Sequence, residues 1–153
     1  MAAQTAPVDL TGGCQCGAVR YRLDRTPDRA NICQCRLCQK AGAAPFMAFA
    51  DFPAAALTWT RGAPKTFASS AIAERGFCAD CGTPLTYRPL GRDEIALTIA
   101  SLDDPAAIAP TVQFGLESKI PWLDGVLALR AVDLRNWIDP AKIGNRQHPD
   151  HGA

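Results

Sequence analysis

Histidine is almost missing from this sequence: there are two in 153 residues, His148 and His151, both among the last six positions. The body of the chain therefore has no Ser/His/Asp set and no histidine-built metal site. Histidines in a polar tail are as a rule solvated, and neither is assigned a site role. A surplus of one charge is missing as well. Sixteen Lys and Arg face fifteen Asp and Glu, for a net charge of +1, and no basic run stands out. Electrostatic attraction to nucleic acid is not expected. No apolar run approaches the roughly 18 residues that a membrane span requires. The N-terminal residues also lack the basic and apolar regions of a secretory signal. The expectation is a soluble chain with no nucleic-acid or membrane partner, placed in the cytoplasm, where thiols stay reduced. A phosphate-binding loop, paired carboxylates, heptads, internal repeats and long amphipathic helices are absent too.

What the chain has instead is cysteine. Its seven cysteines fall into three clusters with none left over: Cys14-Gln15-Cys16-Gly17, Cys33-Gln34-Cys35-Arg36-Leu37-Cys38 and Cys78-Ala79-Asp80-Cys81-Gly82. An odd number of clustered thiols in such a chain points to metal before disulfides. Zinc suits the set, since it favours thiolate and takes four tetrahedral ligands in structural sites. The Cys-x-x-Cys-Gly turn presents two sulfurs to one ion, which is half a site, and Cys14 with Cys16 is the other half. Cys33, Cys35 and Cys38 need no help to reach a single ion. Three protein ligands leave a fourth position for water or substrate, as in catalytic zinc, and a thiol arriving there binds as thiolate. Two Zn2+ ions are expected, one structural and one catalytic. Another division stays open, in which Cys14 and Cys16 join two thiols of the triplet and the third joins Cys78 and Cys81. It splits a compact triplet between two ions. A redox role for Cys78 and Cys81 lacks the βαβ setting that supports such motifs.

The length fits one domain, with 48% hydrophobic and 20% charged residues, an ordinary globular balance. Twelve Gly and twelve Pro, spread along the chain, favour short elements joined by turns. Residues 1–11 are expected to be a flexible lead-in, 12–139 the zinc-binding domain and 140–153 a polar, frayed tail. Alternation predicts a strand over 18–23, and an apolar stretch predicts a buried strand over 44–52. Short strands follow at 57–60 and 65–69 about a turn at 61–64, with 71–77 and 84–88 leading into and out of the third cluster. Further strands are expected at 95–100 and 112–114. Residues 24–31 read as a loop, 37–41 as one helical turn ended by Gly42, and 134–138 as a short terminal helix. The fold class is mainly β, with few short helices.

At its cysteines the chain resembles the glutathione-dependent formaldehyde-activating enzyme family, which is related to centromere protein V. The resemblance rests on Gly12-Gly13-Cys14-Gln15-Cys16-Gly17-Ala18-Val19-Arg20-Tyr21 and on the triplet followed by Gln39-Lys40-Ala41-Gly42. It extends to Phe77-Cys78-Ala79-Asp80-Cys81-Gly82-Thr83-Pro84-Leu85, and weakly to Ser118-Lys119-Ile120-Pro121-Trp122-Leu123. It implies a β-tent fold of small antiparallel sheets pinned by zinc. Cys14, Cys16, Cys78 and Cys81 would hold the structural ion, and Cys33, Cys35 and Cys38 the catalytic one. The implied activity is that of a carbon–sulfur lyase of the S-(hydroxymethyl)glutathione synthase type, whose partners are a glutathione-like thiol and an aldehyde, formaldehyde. The alternative is a non-catalytic zinc protein that binds or carries such thiols. A zinc-ribbon interaction module is disfavoured, because it would be expected to supply a fourth ligand. The sequence departs from the family twice. Gln34 stands where His often separates the first two cysteines of the triplet, and Gln39 with Lys40 stands where Arg often follows the third.

Other side chains have plainer readings. Arg36, Lys40 and Arg75 could grip carboxylates, arginine through two parallel hydrogen bonds, but solvated surface charge is the expectation. Phe46, Phe49, Phe52, Trp59 and Phe77 could line a substrate cleft, but core is the expectation for most of them. Trp122 either covers the mouth of the site or packs in the core. Asp103 and Asp104, next to Pro105, read as turn formers.

Overall fold

The computed structural model describes residues 9–151, and its ten strands lie in two sheets. The smaller sheet has the order β1 (Leu10–Gly13), β2 (Arg20–Leu23) and β5 (Leu57–Arg61), all antiparallel. The larger holds β3 (Arg29–Cys33), β4 (Met47–Pro53), β6 (Lys65–Ser70), β7 (Ala73–Phe77), β8 (Pro84–Pro89), β9 (Glu94–Thr98) and β10 (Val112–Phe114). Its order is β10-β3-β4-β9-β8-β7-β6, antiparallel except where β10 runs parallel to β3. The chain is mainly β, as its sequence predicts.

Strand β4 organises the interior because its side chains alternate between two faces. Ala48, Ala50 and Phe52 join the main core with Tyr21, Leu23, Leu85 and Leu97. That cluster draws on both sheets and includes Cys14 and Cys78. Met47 and Phe49 face the other way and pack with Cys38 and Ala96 in a second cluster, against which Cys33 and Cys35 also pack. One strand thus separates the core from the triplet.

Several local expectations differ from the structure. The strands on either side of residues 61–64 do not pair with each other: β5 joins β2, and β6 joins β7. The chain changes sheets there, at Gly62 with φ 57° and at Pro64, which has no N–H to donate to a ladder. The loop expected over 24–31 gives way to β3 at Arg29, because β4 and β10 hold that segment from both sides. The helix α1 (Arg36–Gly42) closes on Ala43 in the left-handed region rather than on Gly42. A 3-10 turn at Leu134–Asn136 precedes a second helix, α2 (Pro140–Ile143), at the start of the tail. Farther on, His148 donates its backbone N–H to the Gln15 carbonyl at 2.7 Å. Of the expected lead-in, residues 1–8 lie outside the described residues, and Leu10 and Thr11 open β1.

Asp103 is more than a turn former. Its side chain is 10% exposed and takes a forked pair of hydrogen bonds from Arg20, itself 2% exposed, at 2.9 and 2.5 Å. Thr11 adds a third bond at 2.6 Å. Asp104 does form the turn, accepting from the Ala106 N–H. Asp103→Asn leaves a buried guanidinium with half its partner, so a loss of about 3–5 kcal/mol is expected. Burial works to raise the Asp103 pKa, but the bonds from Arg20 and Thr11 and the Arg20 charge hold it below the ordinary carboxylate range. The pair's contribution is therefore complete above the unfolded pKa of about 3.9 and is lost as pH falls toward the lowered folded value. Denaturant melts of wild type and Asp103→Asn should differ most near neutral pH and converge in acid.

Beyond Lys119 the chain packs little. Trp122, Leu127, Leu129, Leu134 and Trp137 are all exposed, Leu127 fully. Backbone exposed in this way is cut before packed strands are. Limited trypsin digestion should cleave first after Arg130 and Arg135, which peptide mass spectrometry would locate.

Candidate metal centres and the adjoining cavity

Two turns of similar design meet at the edge of the core. Cys14-x-Cys16 and Cys78-x-x-Cys81 are each followed by a glycine with φ 79°, Gly17 and Gly82. Each glycine donates its N–H back to the first cysteine of its turn, to Cys14 O at 3.1 Å and to Cys78 O at 2.9 Å. A side chain at either position would be strained, since only glycine adopts that conformation freely. Thr83 ties the turns together: its hydroxyl accepts from the Gln15 N–H at 3.0 Å and lies 3.1 Å from Cys81 Sγ.

The four sulfurs lie within 4.8 Å of one another, with Cys14 to Cys16 at 3.6 Å and Cys16 to Cys78 at 3.8 Å. Tetrahedral zinc with Zn–S bonds of about 2.3 Å requires sulfurs about 3.8 Å apart. The donor set fits that ion. The thiols differ in acidity. Burial works to raise Cys81, but the Thr83 hydroxyl, the Thr83 and Cys16 amides and the Cys16 thiol bring it down to about 6. For Cys16 the Ala18 amide works downward, but burial and the three facing thiols push it up to about 12. All four could be thiolate together only with a cation to share.

The triplet is built where β3 runs into α1. Cys33 ends β3, paired with Met47 on one side and Phe114 on the other. Cys35 is the N-cap of α1, and Cys38 lies in its first turn. A spacing of three along a helix puts both on one face, and all three sulfurs lie within 4.8 Å of one another. Burial, with the neighbouring thiols, drives Cys33 up to about 12. Cys35 is also raised by burial, but the amides of Cys38 and Leu37 and the two partner thiols leave it below its ordinary value. This set too favours a cation, and it has three donors rather than four. The alternative division of the thiols finds no counterpart in this arrangement.

The two residues that depart from the family pattern brace this frame. Gln34 is 1% exposed and donates to Gln113 of β10 at 2.8 Å. Gln39 donates to the carbonyls of Gln34 and Ser118 at 2.7 and 2.8 Å, and accepts from Arg36. Neither lines the cavity that opens beside the triplet.

That cavity, of about 370 Å³, is walled by the three cysteines and by Phe49, Tyr87, Phe114, Arg29, Asp51 and Arg75 among others. Arg75 corrects the surface reading. It is 5% exposed and donates to Cys38 Sγ at 3.2 Å, to Met47 Sδ at 3.6 Å and to Ser69 Oγ at 2.9 Å. Strand period was the available signal, because alternation places Arg75 on the same face as buried Ala73. Arg36 and Lys40 are exposed, as expected. Phe52 is core, whereas Phe49 lines the cavity. Phe46, Trp59 and Phe77 are half-buried, Trp59 edge-on to Tyr21 and Phe77 against Phe67. Trp122 is 58% exposed and lies outside both the core and the cavity wall. His148 packs near Gly17, and His151 is exposed.

A family sequence model described as Glutathione-dependent formaldehyde-activating enzyme matches residues 9–118, a span that contains all seven cysteines. A Schizosaccharomyces pombe protein named as an uncharacterized lyase is 33% identical over 79 residues, covering 52% of this chain and 57% of that relative. The match thus spans little more than half the relative's length. A crystal structure of a Rhodobacter sphaeroides protein aligns with a TM-score of 0.54 at 22% identity, covering 67% of this chain and 98% of that one. That likeness is one of fold. No helix among the described residues is long and apolar enough to cross a membrane.

Proposed function

This chain belongs to the glutathione-dependent formaldehyde-activating enzyme family, and from that premise we propose that it is a zinc-dependent carbon–sulfur lyase acting on a thiol–aldehyde adduct such as S-(hydroxymethyl)glutathione. One observation carries the reading. Three convergent thiols, with no fourth protein ligand beside them among the described residues, open into a cavity of about 370 Å³. Its size suits a small-molecule site, for which about 300–1,000 Å³ is usual. Cys14, Cys16, Cys78 and Cys81 would hold a structural Zn2+, and Cys33, Cys35 and Cys38 a catalytic one. Zinc at the triplet would supply Lewis acidity that keeps a substrate sulfur in its thiolate form.

The chain's own groups do the rest. As the adduct breaks down, its C–S bond breaks and the electron pair stays on sulfur. The hydroxyl proton leaves, and its O–H pair becomes the second bond of the aldehyde carbonyl. Phe49, Tyr87 and Phe114 narrow the space and exclude water around the reacting carbon. Asp51, Tyr87 and Ser70 are oxygen-bearing groups of the wall that can take up or return the hydroxyl proton. Arg29 holds Asp51 in place through bonds at 2.7 and 2.6 Å. Seven free thiols also need a reducing compartment, which supports a cytoplasmic location.

The test is turnover. Zinc-loaded protein is mixed with glutathione and formaldehyde, and NMR exchange spectroscopy follows free glutathione and its hydroxymethyl adduct. Exchange faster than the uncatalysed background is the expected result. Binding without acceleration would replace the lyase with a thiol carrier. Neither binding nor acceleration would reject this substrate pair.

A further inference from the structure

The cavity wall carries a positive charge that the lyase reading leaves without a task. Arg75 is buried, and a guanidinium cannot shed its proton to escape burial. A buried charge without a counter-charge is costly. None of the ion pairs among the described residues includes Arg75. Its donors go instead to a hydroxyl and two sulfurs, those of Ser69, Met47 and Cys38. Tyr87 and Phe49 flank it, their ring centres 5.0 and 5.9 Å from the guanidinium carbon. Of the three groups that accept from Arg75, Cys38 is the one that readily carries negative charge. The arginine is aimed at the triplet.

We propose that Arg75 is a positioning residue that sets the ligand selectivity of the triplet, making its open position favour an anionic thiolate over a neutral ligand. The proposal rests on the reading of the triplet as a three-cysteine zinc site. Three thiolates and one Zn2+ leave a formal charge of −1, and a fourth thiolate makes it −2. Between aromatic walls that second negative charge is poorly solvated. Arg75, fixed 3.2 Å from Cys38 Sγ, returns the sum to −1. A neutral ligand adds no charge and gains little from the arginine. A cation 3.2 Å from one sulfur of the triplet should favour an added thiolate by about 10- to 100-fold. On binding, the thiol's proton passes to solvent buffer.

The test uses full-length protein loaded with Co2+, whose sulfur-to-metal absorption reports the ligands. 2-Mercaptoethanol and imidazole are titrated separately into wild type, Arg75→Met and Arg75→Lys. Arg75→Met should bind the thiol about 10- to 100-fold more weakly, with imidazole affinity unchanged within about twofold. Arg75→Lys keeps the charge and should retain the wild-type ratio of the two affinities, which provides a test should Arg75→Met fail to fold. Equal weakening of thiol and imidazole would reduce Arg75 to a packing residue and overturn the proposal. So would an unchanged thiol affinity in Arg75→Met, or a lost ratio in Arg75→Lys. A wild-type protein that takes up one Co2+ and answers neither ligand would instead sink the three-cysteine site itself, and this proposal with it.

Discussion

Cys81→Ala is expected to leave a chain with no cooperative unfolding transition at room temperature. The four-thiol cluster joins turns 62 residues apart in sequence, and two of its members, Cys14 and Cys78, are only 3% and 1% exposed within the main core. A structural zinc site contributes about 10–16 kcal/mol of apparent binding free energy at neutral pH. A domain of this size has a net stability of only about 5–15 kcal/mol. Losing a ligand from the closed site therefore removes a share comparable with the whole. Two buried thiols then remain in a core with no ion to share their charge. Far-UV circular dichroism melts and zinc analysis would show it: a flat or broadened transition and zinc well below two equivalents. A melt within a few degrees of wild type, with both ions retained, would end the structural assignment.

The separate cysteine turns were legible from sequence because each is local, and the two pairs complete each other's ligand set. In the two pairs a turn of three or four residues brings the thiols together, and glycine at its end records the backbone the turn needs; in the triplet a single helical turn brings Cys35 and Cys38 to one face. Strands were legible too, Arg20–Leu23 from alternation and Met47–Pro53 from its apolar run. What escaped depends on partners far along the chain. β5 and β6 look like arms of a hairpin, but each is claimed by a different sheet. Asp103 has the neighbours of a turn residue, yet its partner Arg20 lies 83 positions away. Arg75 has a charge that suggests surface and a strand position that suggests interior. Cys38, 37 positions back, supplies the sulfur that reconciles them.

Cys35→Ala is expected to separate chemistry from folding, keeping a cooperative melt while zinc falls from two equivalents to one and glutathione–formaldehyde exchange returns to background. Cys35 is half-buried at the end of the large sheet, apart from the core that holds the four-thiol cluster. As the N-cap of α1 its sulfur faces the Leu37 and Cys38 amides, so alanine should forfeit no more than the ordinary capping contribution of about 1 kcal/mol. Cys33 and Cys38 would remain as two donors, too few to hold zinc against solvent in a site with no fourth ligand among the described residues. Loss of acceleration with the fold intact would place the reaction at the triplet. Full acceleration with one equivalent of zinc would move it elsewhere. The contrast with Cys81→Ala matters most: one substitution should abolish the structure, and the other should abolish only what the structure does.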